Sequence, residues 1–119
     1  MARILVADDA AFMRLRLATL LTEAGHTVLE ASNGQEAVEQ YKRERPDLVL
    51  MDITMPVMDG LAAIEAIRAF DPNARIVVCS SLGQQAIVLR AIQSGARDFV
   101  VKPFQPERVL GAVARALGN

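Results

Sequence analysis

Five short apolar runs punctuate this chain at regular intervals: Ile4-Leu5-Val6-Ala7, Thr27-Val28-Leu29, Leu48 to Met51, Ile76 to Cys79 and Phe99 to Val101. Runs this short, rich in β-branched residues and Leu, read as strands. Between them, apolar residues recur at helical spacing. Met13, Leu17, Leu20, Leu21 and Ala24 share one helical face, with Gly25 as the stop. Ala37, Val38 and Tyr41 mark a second helix, after Asn33-Gly34 and closed before Pro46. Asp59 is placed to cap a third, from Gly60 to about Phe70, and Asp71-Pro72-Asn73 forms a turn. Ile87, Val88, Ala91 and Ile92 give a fourth, stopped by Gly95. Pro106 opens the last, whose stripe is Val109, Leu110, Val113 and Leu117.

Five strand-helix units of this length predict an α/β fold: a doubly wound, five-stranded parallel sheet with helices on both faces. Near-continuous apolar strands agree, because central parallel strands are covered on both sides. Right-handed crossovers follow. Periodicity leaves the strand order open.

The 119 residues fit a single domain, 1–119, and the 52% hydrophobic content supplies a core without a metal or disulfide staple. The net charge of −1 carries no basic footprint for nucleic acid and no polybasic membrane patch. Cys79 has no partner for an internal disulfide, so a reducing cytoplasm is the expected compartment. The first apolar run meets Asp8 too soon for a signal peptide or a spanning helix.

The strands stop on polar residues. Asp8-Asp9 follows the first, Asp52 the third, Ser80-Ser81 the fourth and Lys102-Pro103 the fifth. Ligands of open parallel sheets bind beyond the carboxyl ends of the strands, so these four sets are expected on one rim. Two carboxylates about 4 Å apart repel by roughly 4 kcal/mol at an effective dielectric near 20. Three converging acids need protons or a cation, and Lys102 alone does not balance them. A hard divalent ion such as Mg²⁺, which takes oxygen ligands and shares carboxylates with phosphate, does. Acids, an amine and a hydroxyl around one metal suit phosphoryl transfer, with Asp52 as nucleophile. Singly, each residue has a plainer use. Asp9 can cap a helix, Asp52 can be a turn residue, Ser80 or Ser81 a turn hydroxyl, and Lys102 a surface lysine. Cys79 reads as a small buried hydrophobe, and His26 as solvent-facing without a role. It is the coincidence at four strand ends that favours a site.

Asp8-Asp9, the stretch DITMPVMDG from Asp52, and VKPF from Val101 together resemble the receiver domain of two-component response regulators. ADDAAFMR, VVCSSLGQQA and VKPFQPERV are similar to its single-domain chemotaxis members. The resemblance covers essentially the whole chain. It implies a flavodoxin-like sheet of order 2-1-3-4-5, for which chemotaxis receivers are themselves a standard example. It implies Asp52 as phosphoacceptor. Asp9, Asp52 and the Thr54 backbone carbonyl would bind Mg²⁺, with Asp8 acting mainly through water. Lys102 would meet the phosphoryl oxygens, Ser80 would be the switch hydroxyl, Phe99 the switch aromatic, and Lys102-Pro103 a cis peptide. Ser80 stands where threonine is commoner, Ser81 where alanine is favoured, and Phe99 where chemotaxis members usually carry tyrosine. Thr54 and Leu82 occupy positions that tune acyl-phosphate lifetime.

The expected function is a phosphorylation switch rather than a separate enzyme. A histidine kinase would donate the phosphoryl group, and a protein target, foremost the flagellar motor switch, would read the result. The chain is expected to be monomeric, with no room for an output domain. A phosphorelay intermediary, or a receiver cut from a larger regulator, is the alternative. A haloacid dehalogenase-type phosphatase is more distant, because Thr54 stands where that family needs an acid. A flavin binder would need a Ser-, Thr- and Gly-rich loop where Asp8-Asp9 stands.

Overall fold

A computed structural model describes residues 1–118. Ten elements alternate along the chain: β1 (Arg3–Ala7), α1 (Ala11–Glu23), β2 (Thr27–Ala31), α2 (Gly34–Glu44), β3 (Leu48–Met51), α3 (Gly60–Phe70), β4 (Ile76–Ser80), α4 (Gln85–Gln93), β5 (Asp98–Val101) and α5 (Pro106–Ala116). The strands form one parallel sheet in the order β2-β1-β3-β4-β5. The expected fold class and strand order are both present.

Period-two alternation sorts the core into two layers. Leu5, Ala7, Val49, Met51, Ile76, Val78 and Phe99 face a cluster with α2, α3 and α4 residues, among them Val38, Ile64, Ile67 and Ala91. Ile4, Val6, Leu48, Leu50, Val77, Cys79 and Val100 face the other way, against Leu17 and Leu21 of α1 and Val109 and Val113 of α5. β1, β3 and β4 are thus apolar on both sides, whereas the edge strand β2 exposes Thr27 and Glu30.

Several expectations change in detail. β2 runs on through Glu30 to Ala31, past the point where the apolar run ends, because its backbone pairs with Val6 and Ala7. Ala24 lies at the α1 terminus, exposed, and only Leu17 and Leu21 of that helix are fully buried. In α4 only Ala91 is buried; Ile92 is 44% exposed, so its apolar stripe is not wholly a core stripe. His26 is half-buried and has a part to play: its Nδ1 accepts the Ala2 N–H at 3.1 Å, tying the α1–β2 turn to the start of the chain. Asn33 and Asp59 cap α2 and α3 by accepting the N–H groups of Glu36 and Ala62.

Candidate metal centre

The sheet ladder continues one residue past the strands at three of the four polar ends. The Asp8 N–H donates to the Ala31 carbonyl (3.0 Å), the Asp52 N–H to Ala7 (2.9 Å) and the Lys102 N–H to Ser80 (2.9 Å). Side chains mounted on such backbone are held more firmly than loop side chains. Asp8, Asp52 and Lys102 consequently converge. The Lys102 ammonium lies 2.7 Å from Asp8 Oδ2 and 3.6 Å from Asp52 Oδ2. One carboxylate oxygen from each of Asp8, Asp9 and Asp52 lies within 4.8 Å of the others.

Asp8 and Asp52 are buried, while Asp9 is exposed at the mouth. Asp8 Oδ1 accepts the Ala10 N–H at 2.9 Å, and Asp52 Oδ1 accepts the Ile53 N–H at 2.8 Å. Among the described residues, no donor is directed at the Asp9 carboxylate or the Thr54 carbonyl. Burial pushes the Asp52 carboxyl above its usual value, Lys102 pulls it down, and Asp8 pushes it up again. For Lys102, burial works against the charge, but the bond to Asp8 and the nearby Asp52 outweigh it and raise the ammonium's pKa. The acids outnumber the amine, the donors are all oxygens, and two of them lack protein partners. That set fits a hard divalent cation and not a soft one.

Ser80 is buried, and its Oγ accepts the Leu82 N–H at 3.2 Å. This leaves the hydroxyl proton free to favour the ionised Asp52 carboxylate, the smallest of the influences upon it. Phe99 pairs in register with Val78, two residues before Ser80, so both side chains point to the α3–α4 side of the sheet. Phe99 lies inside, 7% exposed. Lys102-Pro103 is cis. The structure therefore brings together Asp8, Asp9, Asp52 and Lys102, places Ser80 beside Asp52, and sets Phe99 further down the same face as Ser80. Ser81 is exposed and Leu82 is half-buried at the edge of the α4-side core.

Two contributors were not apparent from the sequence. Gly60, in the sequence simply the first residue of the third helix, is the point where α3 meets the backbone just past β3: a Cβ on it would collide with the Asp52 carbonyl oxygen. Its N–H also donates to the Ile53 carbonyl at 2.8 Å, closing the loop that carries Asp52. Arg14, on α1, donates through Nη1 to the Asp8 carbonyl at 2.7 Å and through Nε to Glu30 at 3.1 Å. In the sequence Arg14 stands out only as the last residue of the stretch ADDAAFMR.

The family profile described as "Response regulator receiver domain" matches residues 4–114. The chain belongs to the response regulator receiver family. This receiver is 59% identical over 112 residues to the chemotaxis protein CheY of Thermotoga maritima, covering 93% of each chain. It is 55% identical over 116 residues to the CheY of Bacillus subtilis, covering 97% of each. In the solved structures, the receiver resembles a chain of the CheX–CheY–BeF3–Mg complex from Borrelia burgdorferi, with a TM-score of 0.94 and 36% identity, covering 98% of this chain and 90% of that one. Family membership sets aside the phosphatase and flavin-binding readings. Among the described residues, no helix is long and apolar enough to cross a membrane.

Proposed function

We propose that this receiver is a phosphorylation-activated chemotaxis regulator whose phosphoacceptor is Asp52, acting as one domain across residues 1–119. Asp9, Asp52 and the Thr54 carbonyl would hold Mg²⁺, with Asp8 behind them through water; when bound, the ion offsets charge on the phosphoryl oxygens. Asp52 Oδ1 is occupied by the Ile53 N–H, whereas Oδ2 accepts no backbone N–H among the described residues and lies 3.6 Å from the Lys102 ammonium, so Oδ2 is the available nucleophile. Its lone pair attacks phosphorus of a phosphohistidine on a partner kinase. The P–O bond forms, the P–N bond breaks, and the electron pair leaves on the imidazole nitrogen. Lys102 then turns from Asp8 towards the new dianion, and the Ser80 hydroxyl donates to it. Hydrolysis of the acyl phosphate would reset the switch; no separate enzymatic output is assigned.

Phe99 reports the state of Ser80 to the surface, because the two share a sheet face. The reading surface lies on α4, β5 and α5, where Leu89, Ile92 and Val101 are 55%, 44% and 46% exposed. We assign a protein target to that surface, with a flagellar motor-switch component as the first candidate. Phe99 offers such a target no hydroxyl. The single observation carrying the proposal is the convergence of three acids and one lysine from three separate strand ends.

The test is labelling with radioactive acetyl phosphate in Mg²⁺. Asp52→Asn is expected to abolish acid-stable, base-labile label, and undiminished label would remove Asp52 from its role. Binding to motor-switch peptides should strengthen when beryllofluoride and Mg²⁺ are added; equal affinity in both states would reject that target.

A further inference from the structure

Asp9 is the weakly held member of the acidic set. It is exposed, and no protein donor steadies its carboxylate among the described residues. Its position is inherited from the backbone on either side of it. α1 gives that backbone little help, since Ala10 at its N-cap has no side-chain cap and the first turn carries no acid. The Asp8 N–H is tied to the Ala31 carbonyl, Asp8 Oδ2 to Lys102, and the Ala10 carbonyl takes the first helical bond from the Arg14 N–H. Two further contacts hold the segment. One is the Ala10 N–H donated to Asp8 Oδ1 at 2.9 Å. The other is the Arg14 guanidinium, which donates to the Asp8 carbonyl oxygen at 2.7 Å, the oxygen of the peptide that links Asp8 to Asp9.

Arg14 is itself fixed. Its side chain is 19% exposed, and its Nε is held by Glu30 Oε1 at 3.1 Å on the neighbouring strand β2. The Gln40 side chain donates to the Glu30 carbonyl, fastening that strand residue to α2. The fork of Arg14 thus spans from β2 to the Asp8-Asp9 peptide, using two nitrogens for two acceptors, which a lysine cannot do in the same way.

We infer that Arg14 is a positioning residue for the divalent cation: by holding the Asp8-Asp9 peptide it keeps the Asp9 carboxylate within reach of Asp52. This rests on the metal reading of the site. Geometry and electrostatics predict opposite signs here. Arg14 is a cation close to a cation site, so removing its charge, taken alone, strengthens Mg²⁺ binding. Releasing the peptide weakens it. Partners that orient metal ligands are typically worth ten- to a hundredfold in affinity, so the positional effect should win.

The experiment is a calorimetric Mg²⁺ titration of the intact protein, with Arg14→Gln, Arg14→Lys and Glu30→Gln beside the wild type, and amide exchange at Ala10 measured without metal. Arg14→Gln is expected to weaken Mg²⁺ binding about tenfold. Arg14→Lys, which keeps the charge and one donor, should recover part of the loss, and Glu30→Gln should fall nearer the wild type. The Ala10 amide should exchange faster in Arg14→Gln while the unfolding midpoint moves little. Equal or tighter Mg²⁺ binding by Arg14→Gln would overturn the proposal, as would a loss explained by its unfolded fraction. A wild type that takes up no Mg²⁺ would instead reject the metal site itself.

Discussion

At the scale of single residues, environment overrides residue type. His26 follows a glycine in a turn, which reads as an exposed and idle position. Its Nδ1 nevertheless accepts the Ala2 N–H, a task only the neutral ring performs. Partial burial first, and the positive chain terminus second, hold its pKa below the usual value. Above about pH 6.5 the ring is neutral both folded and unfolded, and the bond contributes in full. As pH falls from there through the lowered folded value, the unfolded chain takes the proton first and stability is lost. A half-exposed neutral hydrogen bond is worth up to about 1 kcal/mol, so the effect is modest. Urea midpoints between pH 7 and pH 5 should fall further for the wild type than for His26→Gln; parallel curves would remove His26 from the acid response. Cys79 shows the reverse case. Buried on β4, its thiol is pushed up to about 12, as expected of a small hydrophobe.

At the scale of elements, the legible parts are those where burial and period agree. β3 begins and ends where its apolar run does, and α3 starts at the Asp59 cap, because local preference and tertiary packing favour the same conformation there. β2 is longer than its apolar run because ladder pairing, not side-chain character, carries it through Glu30. For α4 periodicity gives the helix and its apolar face, but it does not show what covers that face, of which only Ala91 is buried. The β3–α3 loop was the least legible part, since its shape depends on a contact with Gly60 that has no local signature. Within that loop Val57 takes φ 69°, left-handed, and the residue is 81% exposed. A β-branched residue there is strained and buries nothing in return, while asparagine tolerates that region better. Val57→Asn should therefore raise stability by about 1 kcal/mol, read as a higher urea midpoint with unchanged slope. A lower midpoint would mean that the strain is not carried by this residue.

At the scale of the whole molecule, the sheet is a device for collecting charge. Three strands that end on apolar residues, Ala7, Met51 and Val101, deliver Asp8, Asp52 and Lys102 to one rim, and Asp9 joins them from the next turn of chain. That convergence was legible because topology places strand ends together whatever their spacing in sequence. The support from Arg14 and Gly60 was not, because it depends on packing between elements. A buried carboxylate facing two others and a single lysine costs the apo fold stability, and a neutral isostere removes that cost. Asn at position 52 keeps an oxygen for the Ile53 N–H, so the local backbone has no reason to move. In EDTA, Asp52→Asn should accordingly be more stable than the wild type by roughly 1 kcal/mol, the size of an ordinary single-site effect. Mg²⁺ should reverse the order: at about a hundred times its dissociation constant, a ligand bound only by the native state adds about 2.7 kcal/mol. The wild type gains this, while Asp52→Asn, lacking one anionic ligand, gains less. Denaturation curves of both proteins with EDTA and with saturating Mg²⁺ read the crossing directly. If Asp52→Asn is the less stable of the two in EDTA, the rim is held together by its charges rather than strained by them, and the need for a cation loses its electrostatic basis.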